Sequence, residues 1–287
     1  MISQNDIEYL QDMVEREQMT ADEANVEKVL TQRVLIVKSL PKTVRAALNA
    51  AVRDGKLRHK RKEGRKPEVY YHPNFEYKKG KELFESVKEF NNILKLNNLD
   101  IEVLIGNELY YSEDIIEIIE QKEFYTLNNS KYLLIEFPPI RFPKNIVDII
   151  YEIKIRGYVP ILAHVERYKE VQENVNIIYD CIKEGALIQV NSSSIIGKNG
   201  KEAERVSEIL LNNNMIHFIA TDAHSSTRRR PIIRETYDYI VRKYGEQKAE
   251  MLFIQNPYKV IEDKEISIES PRKYEKSKGF FKKLFKK

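Results

Sequence analysis

The chain has 287 residues, 42% hydrophobic and 32% charged, enough to bury a full core in one large domain accompanied by a small one. A single cysteine and no apolar run of about 18 residues argue against a disulfide framework, a secretory signal and a membrane-spanning helix, so the cytoplasm is the expected compartment. The net charge of +4 is unevenly spread: residues 42–66, bounded by Lys42 and Lys66, carry ten Lys/Arg against two acidic residues, and residues 272–287 carry eight against one.

Helical spacing predicts helices over residues 6–17, 21–30 and 42–53, the last ended by Gly55. Residues 56–62 and 66–71, around Glu63-Gly64-Arg65, read as a basic β-hairpin. Helices followed by such a hairpin resemble a winged helix spanning residues 1–73, with 42–53 as recognition helix. Nucleic acid held through its phosphates is then one expected partner of Lys42 to Lys66. A plain cationic surface or an interaction module is the alternative.

A helix over 81–95 leads into a different pattern. Short apolar runs at 101–105, 132–137, 158–163, 186–190 and 216–220 alternate with helical spacings such as Ile146, Ile149, Ile150, Ile153 and Ile177, Ile178, Cys181, Ile182. This is the signature of β-α units around a largely parallel sheet, an α/β fold. The residues after each run gather at one end of that sheet: Glu108 after the first, Pro138-Pro139 after the second, His164 with Glu166-Arg167 after the third, Asn191-Ser192-Ser193 after the fourth, Asp222 and His224 after the fifth.

Glu108, His164, Asp222 and His224 are nitrogen and oxygen donors suited to manganese, iron or zinc. Shared carboxylates would hold two ions close enough to activate a water and clamp a phosphoryl group. Taken singly, Glu108 could cap a helix starting near Ser112, and His164 could donate to a carbonyl. Thiolate catalysis finds no support, because a cysteine phosphatase loop needs arginine six places after its cysteine and Leu187 stands six after Cys181.

GNELYY, LIEFPP, PILAHVERY, LIQVNSSSIIGKNGKEAE and HFIATDAHSSTRRRP, in that order, resemble the bacterial metal-dependent tyrosine phosphatases of the polymerase and histidinol phosphatase (PHP) superfamily, the capsule-biosynthesis type. The resemblance covers residues 74–257. It implies a distorted β/α barrel carrying up to three metal ions, usually manganese. It implies dephosphorylation of tyrosines on the tail of a bacterial tyrosine kinase that controls capsule or exopolysaccharide export. By the same likeness Glu108, His164, Asp222 and His224 ligate metal and Arg167 grips the phosphate. One of Arg228, Arg229 and Arg230 would do likewise, with Arg229 and Arg230 as the candidates. The implied reaction is in-line attack by a metal-bound hydroxide, with no protein nucleophile.

The first seventy residues depart from that family, which opens with His-x-His and then Thr-Pro-His. Neither occurs here, the histidines being at 59, 72, 164, 217 and 224. His72 follows Val69-Tyr70-Tyr71 at about the family's interval before the next helix, which makes it the candidate stand-in ligand, although its proline follows it. With two imidazoles missing, one or two ions are expected, manganese first and iron or zinc as alternatives, with reduced or absent turnover. The alternative function is a weakened relative that binds phosphotyrosine or nucleic acid. Beyond a phosphatase domain ending near 262, the tail closes on residues 276–287, Lys276 to Lys287, where phenylalanines interleave with lysines. That is the pattern of a short helix lying in an anionic membrane surface, with a solvated tail as the alternative.

Overall fold

The computed structural model describes residues 35–36, 58–60, 69–71, 80–97, 100–122, 124–138, 142–223, 231 and 233–275. Two short pairings precede the main sheet. Strand β1 (Leu35–Ile36) runs parallel to β4 (Val103–Leu104), and β2 (Arg58–Lys60) runs antiparallel to β3 (Val69–Tyr71) with Arg58 opposite Tyr71. The second pair falls where the hairpin is expected, and the residues expected to join its strands lie outside the described ones. The helices expected at 6–17, 21–30 and 42–53, and the winged-helix reading built on them, lie outside the described residues. So do His72 and residues 276–287.

Helix α1 (Gly80–Leu96) matches its expected span and buries Leu94 against Val103. The main sheet then follows: β5 (Glu108–Tyr110), β6 (Tyr132–Glu136), β7 (Val159–Leu162), β8 (Leu187–Asn191) and β9 (Phe218–Ala220), all parallel and neighbouring in sequence order. Because every strand runs the same way, all five carboxyl ends lie at one edge, where such sheets build their sites.

One expectation needs correction. Residues 101–105 are not the first strand of this sheet; only 103–104 are extended, and they pair with β1. The chain turns at 105–107, where Asn128 N–H donates to Ile105 O at 2.7 Å and Asn107 exchanges bonds with the Tyr125 backbone at 2.9 and 2.8 Å. Gly106 sits close under Leu127 here: a Cβ would stand 2.9 Å from Leu127 Cδ2 and oblige that side chain to shift. The sheet restarts at Glu108, which is therefore a strand residue rather than a loop residue.

Strand alternation separates two cores. Leu109, Leu133, Ile135, Leu162, Ile188, Val190 and Ile219 face the larger one. Into it helices α2 (Ile115–Gln121) and α3 (Ile146–Ile155) send Ile115, Ile119, Ile146, Ile149, Ile150 and Ile153. Each such fully buried side chain contributes about 1.5–3 kcal/mol. After a short helix α4 (Lys169–Glu173), α5 (Asn176–Glu184) adds Ile178, Cys181 and Ile182, and Gly185 at φ 109° ends it, its N–H reaching back to Cys181 O and Ile182 O.

On the opposite, inner face, Tyr132, Ile161, Leu187 and Phe218 form a smaller cluster with Leu127 and Val260. Followed toward the carboxyl edge, the same face turns polar: Tyr132 gives way to Glu136, and Leu187 to Gln189 and Asn191. Helices α6 (Ser192–Ile195) and α7 (Lys201–Asn212) follow β8, and α8 (Arg234–Tyr244), α9 (Glu246–Glu250), a π-helical turn (Met251–Gln255) and α10 (Asn256–Ile261) follow β9.

Residues beyond α10 run as a strap past the other end of the sheet. Asp263 Oδ1 accepts from Lys131 N–H at 2.7 Å, Lys264 O from the Tyr132 hydroxyl at 2.6 Å, and Asn213 O from Arg272 N–H at 2.9 Å, while Tyr274 exchanges two bonds with the Asn176 side chain. Among the described residues no helix is long and apolar enough to cross a membrane.

Candidate metal centre

Three side chains from successive strands meet at the carboxyl edge. Glu108 opens β5, Glu136 closes β6, and His164 stands two residues past β7. The His164 Nε2 lies 3.5 Å from Glu108 Oε1 and 3.1 Å from Glu136 Oε1. One donor atom from each lies within 4.8 Å of the others. The side chains of Glu108 and His164 are 5% and 3% exposed, that of Glu136 29%. Bringing two carboxylates together out of water is costly unless a cation compensates. Two carboxylates and an imidazole are also a donor set of the kind transition metals take, so the group fits a divalent ion.

The turn after β7 is built to present its residues. His164 adopts φ 37°, ψ 49°, a left-handed conformation that costs a non-glycine residue roughly 1–3 kcal/mol. A 3₁₀ turn, Val165–Arg167, follows. Tyr168 fastens this turn from behind: its hydroxyl donates to Ala163 O at 2.8 Å and accepts from Phe137 N–H at 2.9 Å, tying the ends of β6 and β7 together. Its ring stands 5.7 Å from that of His164.

Glu166 points the other way and is wholly buried. Its Oε1 accepts from Ser194 Oγ at 2.6 Å and from Asn191 N–H at 3.3 Å, and Gln172 donates to its backbone carbonyl. Burial raises its pKa above the usual carboxylate range, against the opposing pull of the Ser194 hydroxyl and of His164. Glu166 thus locks the His164 to Arg167 turn onto the end of β8.

A second cluster sits beside the first. Arg167 Nη1 and Asn191 Nδ2 both donate to Asp222 Oδ2 at 3.2 Å. Asp222, too, has a positive φ, 50°, just past β9.

Of the candidate residues, the structure brings Glu108 to His164 and Arg167 to Asp222. His224, Arg228, Arg229, Arg230 and His72 lie outside the described residues. Glu136 is not among the residues the sequence singles out, because it lies within the apolar run 132–137. The signal was there, since a lone carboxylate at the end of YLLIE has no apolar reason to stand on a buried strand. Two residues fall outside the chemistry. His217 is buried, accepts from Ile188 N–H through Nδ1 at 3.0 Å, and has its pKa driven down to about 3 by burial and Lys248. Cys181 is fully buried in the core and its thiol is pushed up to about 12, so it offers no thiolate.

A parallel α/β sheet whose carboxyl edge carries a carboxylate–imidazole cluster able to hold a metal ion, with an arginine beside it, defines an α/β protein with a candidate metal site. The chain belongs to the CpsB/CapC family of capsular polysaccharide synthesis, whose model matches residues 67–262. It is 34% identical to the tyrosine-protein phosphatase CpsB of Streptococcus pneumoniae over 169 residues, 57% of this chain and 70% of that protein. It is 30% identical to the tyrosine-protein phosphatase YwqE of Bacillus subtilis over 199 residues, 69% and 78% of the two chains. In structure it resembles a chain from the crystal structures of YwqE from Bacillus subtilis and CpsB from Streptococcus pneumoniae, described as unique metal-dependent tyrosine phosphatases. The TM-score is 0.66 and the identity 27%, covering 80% of this chain and 90% of that one.

Proposed function

We propose that the chain is a metal-dependent protein-tyrosine phosphatase acting in capsular or exopolysaccharide synthesis, with manganese as its ion and the phosphotyrosine tail of a bacterial tyrosine kinase as its substrate. The observation that carries this reading is the Glu108, Glu136 and His164 cluster, with Arg167 on the turn that follows, in a chain of the CpsB/CapC family. Glu108, Glu136 and His164 would hold the ion, with Asp222, His224 and His72 as further candidate ligands. When bound, it would polarise the phosphoryl group and lower the pKa of a water. Arg167 would receive phosphoryl oxygens with paired N–H donors, exchanging its Asp222 partner for the substrate. Arg229 and Arg230 are the candidates for a second grip.

The five-stranded sheet is read as the greater part of a distorted barrel, between a basic module at 1–73 and a basic tail after 262. Nothing in the comparisons favours the binding-only alternative. Nucleic acid at Lys42 to Lys66 and an anionic membrane at Lys276 to Lys287 are supported by charge patterning alone.

The test is phosphate release from a phosphotyrosine peptide by the full chain in manganese, abolished by chelator, with one or two ions per chain by elemental analysis. Activity that survives chelation and is lost in Cys181→Ser overturns the reading. Three tightly held ions would show that the first seventy residues supply ligands beyond those named.

A further inference from the structure

Strand β5 carries a second side chain on the face of Glu108. Alternation sends Leu109, 1% exposed, into the larger core and leaves Glu108 and Tyr110 together on the inner face. Same-face neighbours on a parallel strand are about 6.6 Å apart, which places Tyr110 a short step outward from Glu108. Tyr110 is also the register partner of Glu136 on β6.

Its exposure sets it apart from its aromatic neighbours. Phe137, Phe142 and Tyr168 are buried, whereas Tyr110 is 40% exposed. The backbone beneath it is fixed, because Tyr111 N–H donates to Glu136 O at 2.8 Å and the Tyr111 ring packs 5.2 Å from that of Phe137. An exposed aromatic ring is ordinary on a protein surface. One carried on a bonded strand beside two metal-type carboxylates, on their own sheet face, is placed to meet whatever those carboxylates help to bind.

We propose that Tyr110 is a specificity-determining residue: its ring is the platform against which the aromatic ring of a phosphotyrosine side chain packs while the phosphoryl group lies at Glu108, Glu136 and His164. This rests on the phosphatase reading for the identity of the substrate. Aromatic pairs prefer offset or edge-to-face contact and gain beyond the area they bury. A phosphoserine brings the same phosphoryl group without a ring to use that contact, so the platform discriminates by side chain rather than by phosphate.

The experiment is calorimetric binding of O-phospho-L-tyrosine and O-phospho-L-serine to the full chain in manganese, for the wild type, Tyr110→Phe and Tyr110→Ala. The preference for phosphotyrosine should fall roughly three- to ten-fold in Tyr110→Ala and be kept in Tyr110→Phe. In kinetics on a phosphotyrosine peptide the loss should fall on KM rather than kcat. An undiminished preference in Tyr110→Ala, or no preference in the wild type, overturns the proposal. A Tyr110-dependent preference in a wild-type chain that releases no phosphate supports the platform and overturns the phosphatase reading instead.

Discussion

At the β8–β9 end of the sheet edge the protein balances its own acid, since Arg167 and the Asn191 amide both donate to one oxygen of Asp222. At the β5–β7 end Glu108 and Glu136 converge on a single imidazole nitrogen, that of His164. On the proposed reading the two clusters take different guests: Glu108, Glu136 and His164 would hold the cation, and Arg167 would turn from Asp222 to an anion.

The sharpest way to break this contrast is His164→Ala. Loss of the imidazole should cut phosphatase kcat/KM on the order of a hundred- to a thousand-fold and lower bound manganese by elemental analysis. An unchanged metal count would remove His164 from the centre. At the other cluster, Arg167→Ala should cost about a hundred-fold in kcat/KM while metal content holds, and Arg167→Lys should recover little, because a point charge does not replace forked donors. Full recovery with lysine would show that charge alone matters there.

The device that keeps the two clusters in place can be tested by stability. Glu166→Ala leaves the Ser194 hydroxyl and the Asn191 N–H without their acceptor and should cost about 1–3 kcal/mol in urea unfolding. Glu166→Gln keeps an acceptor oxygen and removes the burden of burying a charge, so it should lose clearly less. Equal losses would mean that packing, not hydrogen bonding, is what Glu166 contributes.

A further effect is one of pH. His217 has a folded pKa of about 3, below the ordinary value of 6.5, so between these values the unfolded chain binds the extra proton. Its contribution is present in full above pH 6.5 and is lost as pH falls toward 3, with a slope of at most about 1.4 kcal/mol per pH unit. His217→Asn, which can still accept from Ile188 N–H, should flatten that part of a stability–pH curve. An unaltered slope would assign the acid sensitivity to other groups.

The strands that were easiest to read were those buried on both faces. Runs at 132–137, 158–163 and 186–190 lie within a residue of β6, β7 and β8, because parallel strands between two cores are apolar throughout. The same continuity concealed Glu136, which looks like an interruption of a run rather than its functional end. Strand β5 was illegible for a different reason: three residues with one buried apolar side chain make no pattern, and the apolar run before it at 101–105 draws the assignment away. Arg167 and Asp222 were each legible as candidates, but their pairing depends on Asp222 adopting a positive φ, which local sequence does not signal.

The strap beyond α10 bears on how a shortened form of this chain would behave. The segment shared with the family ends at 262, yet Asp263 and Lys264 are what hold Lys131 and Tyr132 at the amino end of β6, Arg272 holds Asn213 after α7, and Tyr274 holds Asn176 at the start of α5. A protein ended at the family boundary would keep every candidate ligand and still present raw backbone at its base, an easy entry point for a protease. The heritable unit of chemistry and the unit that resists digestion therefore have different last residues.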